Sequence, residues 1–86
     1  MTQIVRLCDI APGESAVVRE LQNEGRIRRR LCDLGLVEGA RVECVGKSPS
    51  GDPIAYLICG AVIAIRRMDS NLVLVVRTTQ EDHVWD

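Results

Sequence analysis

The side chains of this chain that could do chemistry are four cysteines, one histidine and a dense group of arginines. Cys8, Cys32, Cys44 and Cys59 are the softest ligands present. A thiolate metal site draws on close pairs such as C-x-x-C, and no two of these residues stand so near. They read as structural thiols of an aliphatic core. His83 stands among Glu81, Asp82 and Asp86, a group with no fixed geometry to offer a cation, so no metal site is expected. No nucleophile has an evident base beside it, and no G-x-x-x-x-G-K segment is present to cradle a nucleotide. Neither catalysis nor a cofactor is therefore expected.

The arginines are more informative. Arg26, Arg28, Arg29 and Arg30 crowd one short stretch, and a guanidinium grips a carboxylate or phosphate with two parallel hydrogen bonds. The alternatives are a solvated helix face, with Asp33 four residues after Arg29 as a local partner, and a docking surface for an acidic partner. Eleven basic and twelve acidic residues leave a net charge of −1. That balance lacks the general positive field of a nucleic-acid binder, and no nucleic-acid partner is expected.

Something must hold those arginines in place. Eighty-six residues suffice for one small domain. Hydrophobic residues make up 47% of the chain but aromatics only 2%, so the core is built from branched aliphatics, which suit strands. The chain opens with residues 4–7, turns at Pro12-Gly13 and continues through residues 15–21, which reads as a first strand after that turn. Ile27, Leu31 and Leu34 form the apolar stripe of a short helix, with Gly35 as its left-handed stop and Leu36 as the apolar contact after it. A second strand alternates Val42 and Cys44 with Arg41 and Glu43 and ends at Lys47. Beyond the loop "SPSGDP", residues 53–59 read as a third strand, Gly60 as a tight turn or bulge, and residues 61–67 as a fourth. "MDSN" reads as a turn or one helical turn, and residues 72–77 as a last strand. The expectation is a mainly β domain over residues 1–77: a small, partly open barrel of about five strands with one short inserted helix. Residues 78–86 read as a polar, mobile tail.

The uncharged run from Pro53 to Ile65 is shorter than the roughly 20 apolar residues a membrane-crossing helix requires, so direct membrane insertion is not expected. The opening residues lack the basic and apolar regions of a secretory signal, and a cytoplasmic location follows as the expectation.

Three blocks in order carry a family resemblance. Arg30, Leu31, Leu34, Gly35, Leu36 and Gly39 form the first; Pro49, Gly51, Asp52 and Pro53 the second; Gly60, Ile63, Ile65 and Arg66 the third. Together they resemble the ferrous iron transport protein A family, FeoA, whose opening is also similar to "IAPGESAVV". The resemblance implies an SH3-like barrel and a cytoplasmic accessory role in ferrous iron uptake beside FeoB, the membrane transporter with a GTP-binding domain. The alternative is a stand-alone relative of the SH3-like regulatory domain of iron-dependent transcriptional repressors, although no helix-turn-helix precedes the barrel.

The chain departs from the family pattern after "GDP". Ala55, Leu57 and Cys59, continued by Val62 and Ala64, occupy outward positions that are commonly polar, while Ile54, Tyr56 and Ile58 face inward. Arg28, Arg29, Arg30, Leu57 and Val62 are thus the expected partner-binding residues. The apolar pair could bury against a FeoB-like partner, against a second copy in a two-fold homodimer, or under Trp85 of the tail.

Overall fold

The structure, a computed structural model, describes residues 3–78. The readings made for His83, Trp85 and the rest of residues 79–86 lie outside the described residues.

Six antiparallel strands make one bent sheet in the order β1-β6-β2-β3-β4-β5. They are β1 (Ile4–Arg6), β2 (Ser15–Leu21), β3 (Arg41–Lys47), β4 (Ile54–Ile58), β5 (Ala61–Ile65) and β6 (Val73–Arg77). One helix, α1 (Gly25–Asp33), lies between β2 and β3, and a single turn, α2 (Arg67–Ser70), between β5 and β6. Register shifts between Val18 and Glu20 and between Cys44 and Gly46 each add a residue to one strand. Such bulges bend the sheet, here into a partly open barrel around its own core.

The strand count is one more than the sequence suggests. Ile4–Arg6 is an edge strand in its own right, paired with β6 through Ile4 opposite Val76. The chain then leaves the sheet at once, because the Asp9 carboxylate accepts the Arg6 amide and closes a 3-10 turn over Leu7–Asp9. Leu7 and Cys8 of that turn are buried and belong to the core. Three residues are too few to display an alternation, so the local pattern marks a strand only after the Pro12-Gly13 turn. The third and fourth strands are also shorter than expected, since Ile65 ends β5 and Arg67 begins α2.

Alternation settles which faces meet. Val42 and Cys44 of β3, Ile54, Tyr56 and Ile58 of β4, and Val73 and Val75 of β6 are all buried, as period-two patterning dictates. Of the helical stripe only Leu31 is buried, while Ile27 remains 42% exposed. Cys8 and Cys44 sit in the core, while Cys59 is exposed in the β4–β5 turn, in keeping with its outward position on the hairpin rather than with a buried structural thiol.

Helix α1 ends as its sequence suggests. The Leu36 amide donates to the Leu31 carbonyl and the Gly35 amide to that of Cys32, both at 3.0 Å. This paired ending brings Leu36 onto Leu31 inside the core. From there Gly39 donates to the Val18 carbonyl at 2.8 Å, stitching the exit loop to β2.

The "SPSGDP" loop closes the β3–β4 hairpin, with Gly51 donating to Ser48 and Asp52 to the Ser48 hydroxyl. Asp52 also has a long-range duty. Its carboxylate accepts the Arg67 amide at 3.0 Å and so caps α2 from fifteen residues away. Asp52→Ala should lower the unfolding free energy by about 1 kcal/mol, the usual worth of a helix cap. Urea unfolding followed by circular dichroism checks this, and an unchanged midpoint would show that α2 needs no cap.

Candidate docking surface

Helix α1 carries two of its arginines against local preference. The positive end of the helix dipole favours acidic residues in the first turn, yet that turn of α1 holds none and Glu24 at its N-cap makes no capping hydrogen bond. Arg26 and Arg28 stand there instead, while Arg29 follows in mid-helix and Arg30 in the last turn. Sequences that break a local rule commonly do so where a site needs the residues.

The four arginines are not equivalent. Arg28 folds back, its Nη1 donating to the Leu21 carbonyl at the end of β2, and is partly committed to holding the helix on the sheet. Among the described residues Arg26, Arg29 and Arg30 make no ion pair, and the local pairing of Arg29 with Asp33 that their spacing allows does not form. The one ion pair found among those residues is elsewhere, where Arg77 Nε lies 2.8 Å from Glu14 Oε2. That contact is close but lacks the alignment of a hydrogen bond for Nε. The loose positive charge of the described surface thus includes the exposed side of α1.

On the β4–β5 hairpin, Leu57 and Val62 are direct cross-strand partners on the outer face. Val62 is 65% exposed, whereas Leu57 is half-buried, so the apolar patch is narrower than its composition suggests. Cys59 and Gly60 form the two-residue turn between the strands, both with positive φ, 51° and 82°, the primed geometry that matches strand twist.

A groove of about 290 Å³ separates α1 from β5, with Ile27, Leu31 and Leu34 on one wall and Ile63, Ala64 and Ile65 on the other. Arg30, Arg66 and Asp69 also line it. The fold therefore brings Arg30 to the strand that carries Val62, while Arg28 turns away and Leu57 stands one strand further in. Ile27 and Arg66 were not singled out as partner-binding from the sequence. The one available signal was Ile27 as the outermost member of the helical stripe, and nothing local pairs it with β5.

Two buried groups have shifted acidities, and neither lies at this surface. Burial pushes the Tyr56 phenol above its ordinary value, opposed weakly by the nearby Ser70 hydroxyl. Burial likewise raises the Cys44 thiol. Both stay neutral and structural. Among the described residues no group of three or more His, Cys, Asp or Glu side chains is placed to hold a metal ion.

Residues 5–77 match the FeoA domain. A Fe(2+) transport protein A/Fe(2+) transporter FeoB fusion protein of Porphyromonas gingivalis is 30% identical over 66 residues, which is 77% of this chain and 8% of that protein. The chain thus spans a small fraction of the curated relative's length. The crystal structure of FeoA from Stenotrophomonas maltophilia in complex with zinc, described as a prokaryotic SH3 domain protein, is 32% identical. It covers 83% of this chain and 88% of its own, with a TM-score of 0.74. A manganese-dependent transcriptional repressor superposes with a TM-score of 0.79 over 91% of this chain and 44% of its own. At 14% identity that likeness concerns the fold alone.

Proposed function

This chain belongs to the FeoA domain family, and from that premise we propose that it is a small accessory module of ferrous iron uptake that docks on a FeoB-like membrane transporter and modulates its GTP-binding domain. Its work is binding rather than catalysis, carried out at the cytoplasmic face of the membrane. No described helix is long and apolar enough to cross a membrane. The fusion of transport protein A with FeoB in the Porphyromonas gingivalis protein supports a working partnership between the two kinds of domain. The likeness to a repressor rests on fold, and nothing on the surface of the described residues favours that reading.

The observation that carries the docking role is the row of Arg26, Arg29 and Arg30 along the exposed side of α1, without an ion-pair partner among the described residues and with Arg26 in a first turn that disfavours positive charge. An acidic surface would satisfy both conditions. Changing these three arginines to Gln, and leaving Arg28 with its internal hydrogen bond, should weaken binding to the cytoplasmic domain of the cognate transporter roughly tenfold or more at low salt. The difference should shrink at high salt, where exposed charges are screened. Titration calorimetry at both salt concentrations checks this, and equal affinities for parent and variant would remove the proposal.

A further inference from the structure

The two outer strands of the sheet are protected very differently. β1 is three residues long and ends in Arg6, and short charged edges resist pairing with other chains. β5 has five residues, Ala61–Ile65, all of them apolar. It has no proline and no charge, and its register with β4 runs without a bulge.

The hairpin fixes which backbone groups that edge presents. Ile58 and Ala61 flank the two-residue turn and so exchange hydrogen bonds, as do Tyr56 with Ile63 and Ile54 with Ile65. Val62 and Ala64 alternate with them, which turns their amides and carbonyls away from β4 toward the open side. No described residue outside the hairpin bonds those groups. Both residues are exposed, and beside Ala64 runs the groove toward α1, walled by Ile27, Leu34 and Ile63 and flanked by Arg30 and Arg66.

We propose that β5 takes an extended acidic segment of a partner protein as a seventh strand, an apolar side chain of that segment filling the groove and its carboxylates meeting Arg30 and Arg66. Backbone hydrogen bonds to Val62 and Ala64 supply affinity, while the groove and arginines select the sequence, the division of labour usual in strand addition. Charge selects the occupant. Arg30 and Arg66 outnumber Asp69 along the groove, and Arg26 and Arg29 extend the positive field along α1. This rests on the docking reading above and gives its mode.

The probe is a capped hexapeptide of alternating Glu and Val, titrated into the full chain by amide NMR. Protection and shifts at Val62 and Ala64 are expected. Ala64→Pro should cost roughly tenfold or more in affinity by removing an outward amide and crowding its neighbour. It leaves the ladder to β4 intact, because that amide faces away. A peptide N-methylated on alternate residues tests the same bonds without altering the protein, and should fail to bind when the methyls face β5. Unchanged affinity for both would overturn the proposal, as would shifts confined to α1. A parent that is dimeric and becomes monomeric on Ala64→Pro would also overturn it, by giving the edge to a second copy. The two readings fail separately. If the cognate transporter domain binds Ala64→Pro as tightly as the parent but loses the arginine variant, docking stands without strand addition; the reverse result removes the arginine row, Arg30's part in selecting the segment included, and keeps the strand.

Discussion

Gly35→Ala is expected to lower the unfolding free energy by roughly 2 to 4 kcal/mol, combining backbone strain with overpacking. Gly35 holds φ at 104°, where a side chain is strained whatever the space around it. Space is also lacking, since an added Cβ would stand 2.5 Å from Cys59 Sγ and 3.3 Å from Ile58 Cγ2. The helix exit and the β4–β5 turn are pressed together at this point. In a domain of this size the loss should lower the midpoint of thermal unfolding by on the order of 10 °C or more. Cys59→Ala in the same chain should recover part of it, because the sulfur goes and the backbone angle stays. Thermal unfolding of the two variants and the parent separates the terms. If Gly35→Ala melts like the parent, the exit does not depend on that glycine.

Tyr56→Ala should cost about 3 to 5 kcal/mol, near the upper range for deleting a buried ring. Tyr56 is fully buried, the largest such side chain in a core otherwise made of aliphatics and thiols. Total stabilities of small domains run from about 5 to 15 kcal/mol, so this variant should be close to unfolded at 37 °C. Tyr56→Phe keeps the ring and removes a hydroxyl that donates to the Leu7 carbonyl at 3.2 Å. That carbonyl also accepts the Ile10 amide, so it is not orphaned, and the cost should stay near 1 kcal/mol.

The same pair of variants has a pH signature. Burial raises the phenol's pKa above 10.0 in the folded state, and the unfolded chain gives up that proton first. The contribution is therefore complete below pH about 10 and is lost as pH rises beyond it. Cys44, raised from 9.0 by burial, begins the alkaline loss somewhat earlier. Tyr56→Phe should flatten the decline above pH about 10 and leave the Cys44 part. Urea midpoints between pH 8 and 11 provide the test, and parallel curves for parent and Tyr56→Phe would show that the phenol does not titrate against folding.

What the sequence discloses is what neighbours decide. The exit from α1 was legible because Leu31, Gly35 and Leu36 act on one another within six residues, and the β4 face because Ile54, Tyr56 and Ile58 alternate. The hairpin turns were legible for the same reason, through Gly51, Asp52 and Gly60. The missing strand pairs Ile4 with Val76, a partnership no local pattern carries. Arg28 turns to the Leu21 carbonyl and Asp52 caps Arg67, so two residues noted for one reason serve a further one through distant backbone. The groove follows the same logic, since Ile27 and Ile63 face one another only after the sheet has curled.

The strand order has a consequence for how the chain is made. β6 lies between β1 and β2, so the last of the described strands to leave the ribosome fills the middle of the sheet's first half. Until residues 73–77 emerge, β1 has nothing to pair with and one side of β2 stands open, while β2, β3, β4 and β5 can already pair in sequence. Closure awaits the pairing of Ile4 with Val76, residues far apart along the chain, which slows folding and leaves a nascent sheet with two unsatisfied sides. Chains stalled before residue 73 should be the aggregation-prone species during synthesis, and Val73, Val75 and their partners the last residues to gain amide protection.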